Sequence, residues 1–352
     1  MLLLRNDGND IRNMIQTKKE KSNIAATMPV IAASYLGPAL QPNRDAAWEE
    51  AQLPQSADDL VQKIMGQPMR RAGRFIKVVC CGALACLKSI PPEDLKEKKI
   101  GIFLATGLGN VDEILPFITQ VFKHEGGFPS PNQFANSVSN AAAFFLARIC
   151  EINGVVLTIS QEELSFESAL WLAQSYLAGG QIDLALVGGC DVFTPSVDDY
   201  RARMNLSSAN SRNLPAGEGS SWLLLGDDGG RLGHIMAVKF GDEFTAPKDY
   251  SVNTDIENDC AEFIKLAAKD AGLSLKEEKR CLLPGFRLPK IDEKFWRERG
   301  WKIEDYLPYC GIHPTAAAFG IARAMLTGKN SLYVHYNRHA SGKQALVAAL
   351  KS

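Results

Sequence analysis

The stretch VVLTISQEELSFESALWLAQSYLAGGQIDLALVGGCD, from Val155 to Asp191, decides the fold class. Its first apolar run, Val155–Ile159, predicts a buried strand, and a helix is predicted after it at about Ser165–Leu177. A Gly-Gly pair then interrupts the pattern before a second apolar run, Ile182–Val187, which predicts another buried strand. The order of strand, helix and strand indicates an α/β fold with a mostly parallel sheet and helices covering it.

Length and composition exclude several classes of function. A chain of 352 residues favours two fused halves over one simple domain. The net charge of −1 argues against a general nucleic-acid or membrane surface. No apolar run approaches the ~20 residues of a membrane-spanning helix, and the apolar start Met1–Leu4 is too short for a signal-peptide core. We therefore expect a cytoplasmic protein without a nucleic-acid or membrane partner.

The cysteines and histidines do not predict a metal or cofactor site. No pair of cysteines has the CxxC spacing, so we expect reduced, buried thiols that pack as small apolar side chains. His124, His234, His335 and His339 have neither metal nor catalytic-triad spacing and are expected in solvated or core positions. Neither GxGxxG nor GxxxxGK[ST] is present, so no nucleotide cofactor is predicted.

Apolar runs elsewhere in the chain predict further strands and helices. Strands are predicted at Pro29–Leu36 and Lys99–Ala105, and Met69–Ile90 predicts a long helix with a basic start. Basic residues oppose the helix dipole at that end, so we expect another contact to hold them. Phe134–Cys150 predicts one helix of small residues, and the charged stretch Lys290–Tyr306 is expected at the surface.

Several blocks, in order along the chain, resemble the β-ketoacyl synthases of the thiolase superfamily. The most specific short match is AGEGSSWLLL, and the others are an early arginine-containing helix, a strand with a glycine turn, and a segment found at the dimer interface of that family. The blocks are Met69–Leu87, Gly101–Gly109, Pro131–Val155 and Ala216–Leu225. The resemblance implies a thiolase-like fold with a layered αβαβα architecture. It also implies two similar halves, 28–230 and a shortened 231–352. Residues 1–27 are polar and poorly periodic, so we expect a flexible or loosely docked extension there.

The same resemblance implies that the catalytic residues have been lost. Condensing members of the family use a cysteine and two histidines, and counting back from Gly188 places the cysteine position at Glu163. The first histidine position falls on Pro284. The second falls on Ile312, or on His313 if one insertion is allowed. A carboxylate is a far poorer acyl acceptor than a thiolate, so no catalytic residue is expected.

The loss of every chemical position within a preserved frame implies a non-catalytic task. In type II polyketide synthases the chain-length factor, or ketosynthase β-subunit, has this character. It forms a heterodimer with an active ketosynthase α-subunit and bounds the tunnel for a chain that phosphopantetheine tethers to acyl carrier protein. Typical members carry glutamine at the cysteine position, whereas this chain carries Glu163.

Two alternatives stay open. One is a condensing or decarboxylating enzyme of altered mechanism that uses Glu163, Glu162 or His313. The other is a purely structural or regulatory ketosynthase partner in an aryl-polyene or fatty-acid-like pathway.

For the chain-length factor, a large apolar interface is expected, as in obligate dimers. Ordinary packing is the alternative role for each candidate lining residue. The candidates for the tunnel and interface are Phe117, Phe134, Asn136, Val138 and Phe144.

Overall fold

The computed structural model describes the greater part of the chain. The described residues are 27–38, 50–51, 56–123, 130–193, 202, 204, 214–226, 231–241, 252–271, 279–288 and 291–351. The predicted extension 1–27 therefore lies outside the described residues, except for Thr27, and His124 lies outside them too.

Strands and helices alternate along the chain, as the apolar pattern predicts. The strands are β1 (Met28–Leu36), β2 (Glu50–Ala51), β3 (Ile100–Ala105), β4 (Val156–Ile159), β5 (Leu184–Asp191), β6 (Ala216–Gly217), β7 (Gly219–Gly226), β8 (Gly233–Gly241), β9 (Arg280–Pro284), β10 (Trp301–Ile303), β11 (Leu332–Arg338) and β12 (Gln344–Lys351). The helices are α1 (Ala57–Met65), α2 (Arg74–Leu87), α3 (Pro92–Leu95), α4 (Val111–Lys123), α5 (Pro131–Ser137), α6 (Ala141–Ile149), α7 (Ser165–Ala178), α8 (Val252–Asp270), α9 (Glu293–Glu298), α10 (Leu307–Cys310) and α11 (Ala316–Thr327). Among these helices, none is both long and apolar enough to cross a bilayer.

The larger sheet joins the strands of both halves of the chain. Its order is β10-β9-β11-β12-β8-β1-β7-β5-β3-β4, so the first half supplies one end of the sheet and the second half the other. The halves meet where β1 pairs antiparallel with β8, at Met28 opposite Ile235. Strands β3, β4 and β5 are parallel to one another, as the strand–helix–strand pattern predicts.

Three hydrophobic clusters divide the molecule into layers. Helices α7 and α11 lie in a central cluster that receives side chains from the strands of both halves. Helices α2 and α6 cover the outer face of the first half, and α8 with Trp296 of α9 covers that of the second. The strands of each half thus lie between the central helices and an outer helical layer, which confirms the predicted αβαβα architecture.

Strand β3 shows how the sequence selects these layers. Ile102 and Leu104 point to the outer cluster, whereas Phe103 and Ala105 point to the central one. All are fully buried, because alternate side chains of a strand face opposite sides of the sheet and both sides carry helices.

Three predicted elements are wrong in detail. The strand predicted as buried at Val155–Ile159 is partly exposed, because β4 lies at the edge of the larger sheet as described. The single helix predicted at Phe134–Cys150 is two helices, because the extended backbone of Val138 ends α5 and α6 begins only at Ala141. The stretch Lys290–Tyr306, predicted to lie at the surface, buries Trp296 and Trp301, whose ring centroids lie 5.3 Å apart. The charged residues of this stretch lie on the solvent side of the same short elements. The high average polarity of the stretch therefore gave no sign that its two tryptophans are buried.

The basic start of α2 has the partner that the sequence predicts. Helix α2 has no acidic residue in its first turn, and Arg74 Nη2 lies 2.6 Å from Oε1 of the buried Glu218. The backbone N–H of Phe193 donates to Oε2 of the same carboxylate at 2.8 Å. The glutamate of the GEG sequence thus joins α2 to the end of β5.

Candidate functional site

The predicted cysteine position lies in a tight turn between β4 and α7, called here the Glu163 turn (residues 160–165). Glu162 adopts a left-handed backbone conformation with φ of +48°, which is uncommon for a residue with a side chain. Ser165 Oγ donates to the carbonyl of Glu162 at 2.6 Å and accepts from the N–H of Gln161 at 2.8 Å. These bonds hold the turn so that Glu163 points inward, with 3% of its surface exposed.

Glu163 is paired with an arginine from the other half of the chain. Arg287 Nε donates to Oε1 of Glu163 at 2.9 Å, and Nη2 contacts the same oxygen. Arg287 Nη2 also donates to the carbonyl of Met204, and Asn337 Nδ2 donates to the backbone carbonyl of Glu163 at 2.7 Å. A buried carboxylate needs such compensation, so the site contains an internal ion pair.

A histidine from the loop after β11 closes the other side of the turn. His339 Nε2 contacts Oε2 of Glu162 and lies 3.4 Å from Oε2 of Glu163. The N–H of Ser341 donates to His339 Nδ1 at 3.0 Å, and the Ser341 hydroxyl lies 2.8 Å from the same atom. Sequence spacing did not predict that His339 would meet these carboxylates.

A second buried carboxylate lies one helical turn further along α7. Asn337 Nδ2 donates to Oε1 of Glu167 at 2.9 Å, and His335 Nδ1 lies 3.5 Å from the same oxygen. His335 Nε2 lies 2.8 Å from the hydroxyl of Tyr306. Burial raises the pKa of Glu167 to about 7 and lowers that of His335 to about 3, so the expected core role of His335 is confirmed.

The first histidine position, Pro284, ends β9 opposite Tyr336 of β11. The next residue, Gly285, donates its N–H to the carbonyl of Tyr336 at 2.8 Å. A side chain at Gly285 would begin 2.6 Å from Oδ1 of Asn337, so this turn lies against the residue that also holds Glu163. The proline side chain has no hydrogen-bond donor. The side chain from this turn that does contact Glu163 is Arg287.

The second histidine position lies beside the GEG segment. Ile312 exchanges backbone hydrogen bonds with Pro215 and Gly217, each at 2.8 Å. His313 is buried, its Nδ1 lies 3.4 Å from Thr315 Oγ1, and no hydrogen bond to its Nε2 is found among the described residues. Burial lowers the pKa of His313 to about 3, so the ring is neutral at pH 7.

Asp191 fixes this second loop to the glycine turn after β3. Its Oδ1 accepts from the Thr106 hydroxyl at 2.8 Å and from the N–H of Leu108 at 2.9 Å. Its Oδ2 accepts from the Thr315 N–H at 3.0 Å. A side chain at Gly107 would begin 2.2 Å from Pro314 Cβ and 3.0 Å from the Glu162 carbonyl, so both loops pack against the Glu163 turn.

The cysteine side chains are free thiols, and all except Cys150 are buried, as predicted. Burial raises the pKa of Cys81 to about 11 and those of Cys86 and Cys281 to about 12. These thiols are therefore protonated at neutral pH and are poor nucleophiles.

The predicted tunnel and interface residues lie on α4 to α6 or, in the case of Val138, between α5 and α6. The rings of Phe117 and Phe134 pack at 5.8 Å. Phe134 and Phe144 are 56% and 57% exposed, and Val138 is exposed too. Asn136 is buried within the chain, where its Nδ2 donates to the Arg71 carbonyl at 2.8 Å.

These helices carry an exposed apolar surface, called here the apolar patch. Helix α4 contacts α5, α5 contacts α6, and α6 contacts β4, the strand at the edge of the larger sheet. Single exposed apolar residues are ordinary, whereas their concentration on neighbouring helices marks a candidate interaction site. The apolar patch consists of Leu115, Ile118, Phe122, Phe134, Val138 and Phe144.

Comparison with known proteins identifies the family of this chain and solved structures that share its fold. The family profile described as beta-ketoacyl synthase, N-terminal domain, matches residues 13–226. A search of proteins of curated function finds no match.

Solved structures resemble the chain over almost its whole length. One is the ishigamide ketosynthase/chain length factor, with TM-score 0.70 and 14% identity over 93% of this chain and 99% of that one. Another is a type II polyketide synthase acyl-carrier protein in complex with its ketosynthase bound to the hexaketide, with TM-score 0.68, 13% identity and the same coverage. A third is a beta-ketoacyl synthase from Burkholderia phymatum, with TM-score 0.68, 14% identity and again the same coverage. At sequence identities of 13–14%, the structural similarity establishes the fold alone.

Proposed function

Because this chain belongs to the β-ketoacyl synthase family, we propose that it is a chain-length factor: a subunit without condensing activity of its own. It pairs with an active ketosynthase and helps to bound the tunnel in which a carrier-protein-bound polyketide chain grows.

The observation that carries this proposal is the buried ion pair between Glu163 and Arg287. Acyl transfer to a protein needs a nucleophile with a base that activates it. At the cysteine position this chain holds a carboxylate whose Oε1 is bound by Arg287. Releasing that carboxylate would leave a buried charge unpaired, which costs on the order of 3–5 kcal/mol. Arg287 thus keeps the carboxylate at this position buried and paired, which supports a structural role.

The histidine positions support the same conclusion. Decarboxylation and condensation need hydrogen-bond donors aimed at the oxygen on which negative charge develops. Pro284 and Ile312 offer no side-chain donor, and the neutral ring of His313 lies against Thr315. Glu162 and Glu163 would also repel the carboxylate of a malonyl group.

The apolar patch supports pairing with a second subunit. It adjoins β4, which is the edge strand of the larger sheet in the part of the chain that the structure describes, and such edges are natural sites for strand addition. The similar structures are described as a ketosynthase/chain length factor and as a ketosynthase with its acyl-carrier protein. An active ketosynthase is therefore the partner that we propose for this surface, and an acyl carrier protein is the partner of the assembly.

A steric role in setting chain length follows from the aromatic side chains at the patch. Phe117 and Phe134 pack against each other, and Phe134 projects to the surface that the partner would cover. Because protein interiors are close-packed, a ring at the end of a tunnel stops further extension.

Co-expression with an intact Cys-His-His ketosynthase and an acyl carrier protein tests the proposal. We expect the two subunits to copurify and condensation to require the partner's cysteine but not Glu163, so that Glu163→Gln retains the product. Condensation or malonyl decarboxylation by this chain alone would instead establish an enzyme of altered mechanism.

Product length tests the steric role in the same assembly. Phe117→Ala and Phe134→Ala are expected to lengthen the product, whereas Phe240→Ala, a matched substitution on β8 of the second half, leaves it unchanged. If both patch variants give the original length while the complex stays active, the chain is a structural partner only.

A further inference from the structure

We propose that Glu162, Glu163 and His339 bind a divalent transition-metal ion, with Zn²⁺ as the expected ion. His339 Nε2 and one carboxylate oxygen from each glutamate lie within 4.8 Å of one another. Imidazole nitrogen and carboxylate oxygen are both zinc ligands, and sites with three protein ligands hold water as a fourth. This inference does not depend on the proposed pairing with a ketosynthase.

A buried oxygen without a hydrogen bond points into the cluster. Glu163 uses Oε1 for Arg287, while Oε2 accepts no hydrogen bond among the described residues and lies 3.4 Å from His339 Nε2. An unsatisfied carboxylate oxygen in a residue that is 97% enclosed is costly. A cation between Glu163 Oε2 and His339 Nε2 would remove that cost.

The groups around the ligands fit a metal centre. Ligating carboxylates and histidines are oriented by hydrogen bonds from further residues. Arg287 holds the other oxygen of Glu163, and Asn337 holds its backbone carbonyl. The Ser341 hydroxyl lies 2.8 Å from His339 Nδ1, where it accepts the ring proton once Nε2 binds the ion.

In the metal-free chain that proton has a different place. The Ser341 N–H donates to Nδ1, so Nε2 carries the proton and contacts Glu162. Metal binding at Nε2 therefore moves the ring proton of His339 to Nδ1, where the Ser341 hydroxyl accepts it and the Ser341 N–H gives up its bond.

Charge and access favour the ion as well. Two carboxylates against one guanidinium leave the cluster with a negative charge, which a divalent cation outweighs. The Glu162 side chain is 69% exposed and that of His339 is 21% exposed, so the ion reaches the site from solvent. The bound ion would join the loop after β11 to the Glu163 turn, two segments that lie far apart in the sequence.

Calorimetric titration of the chelator-treated full chain with ZnCl₂ tests the site. We expect one Zn²⁺ per chain, a higher Tm with zinc, and a loss of affinity of more than about 10-fold in Glu162→Gln and His339→Ala. His234→Ala, a histidine variant on β8, is the matched control and is expected to bind as the unaltered chain does.

A second measurement separates this site from the thiols. With Co²⁺ the site gives ligand-field absorption without a sulfur-to-metal charge-transfer band, and both site variants lose that absorption. Glu162 is exposed, so Glu162→Gln decides the question even if His339→Ala fails to fold. Absence of zinc binding, unchanged affinity in Glu162→Gln, or a sulfur-to-cobalt band would overturn the assignment.

Discussion

Arg287 Nε donates a 2.9 Å hydrogen bond to Oε1 of Glu163, across 124 positions of the chain. The bond joins the turn after β9 to the turn before α7, and thus the second half of the protein to the first. It also occupies the carboxylate at the position that the sequence predicts for the nucleophile of condensing relatives.

Loss of the arginine should destabilise the fold. Arg287→Met leaves Glu163 buried without its counter-charge, so we expect the free energy of unfolding to fall by about 3–5 kcal/mol. Urea denaturation monitored by circular dichroism measures the change. The control is Arg287→Met with Glu163→Gln, which removes both charges and should recover most of the loss; an unchanged midpoint in the single variant would contradict the role of the pair.

Restoring the cysteine alone should not restore catalysis. We expect Glu163→Cys, assayed without a partner, to form no condensation product and to release no CO₂ from malonyl carrier protein. The reason is that Pro284 and Ile312 supply no donor for the developing oxyanion. Mass spectrometry of the carrier-bound products checks this, with an intact ketosynthase as the positive control. Product from this variant alone would mean that the missing histidines are dispensable here.

Burial of Glu167 should make stability depend on pH. Its pKa rises from 4.5 to about 7 in the fold, so between these values the folded state retains a proton that the unfolded state releases. Stability contributed by this group is therefore lost as the pH rises through that window. We expect Glu167→Gln to be more stable than the unaltered chain at pH 8, by on the order of 3 kcal/mol, and nearly equal to it at pH 4.

The measurement is the difference between the two proteins in urea unfolding across that pH range. Burial lowers the pKa of His335 and of His313 from 6.5 to about 3. Below pH 6.5 the unfolded chain therefore binds protons at these histidines that the folded chain does not, and the fold loses stability. Because His335 Nδ1 lies 3.5 Å from Glu167 Oε1, its contribution differs between the two proteins, so the deciding comparison is made above pH 6.5, where the unfolded histidines are mostly neutral. A difference that stays constant with pH would show that Glu167 does not titrate in this window.

A charge in the apolar patch should prevent assembly without unfolding the subunit. Phe144 is 57% exposed on α6, so Phe144→Glu costs little in the isolated chain but would bury an unpaired carboxylate in a complex. We expect loss of copurification with the ketosynthase and an unchanged Tm. Leu266→Glu, at a 45% exposed position on α8, is the control; equal copurification of both variants would place the interface elsewhere.

Local patterns in the sequence were sufficient for the layered fold. Fully apolar runs such as Ile100–Ala105 predicted strands buried on both faces, and the Gly-Gly pair before β5 marked where a helix gives way to a strand. The same patterns failed where short elements mix charges with large rings, as at Trp296 and Trp301. There the side that packs is selected by α8, which is distant in sequence.

Residue identity and spacing were sufficient to predict that Glu163 stands at the cysteine position and Pro284 at a histidine position. The partners of Glu163 could not be predicted in this way. Asn337 lies on β11 of the other half, and Arg287 and His339 follow β9 and β11, so their contacts with Glu163 depend on how these two strands lie beside each other.

The sequence by itself determined the order of strands and helices and the absence of a thiol at position 163, because both depend on residue type and local periodicity. Only the tertiary structure decided what surrounds that carboxylate. Burial then set its consequences: a charge enclosed in the protein must find compensation, and the groups that supply it are brought together by the packing of both halves around α7 and α11.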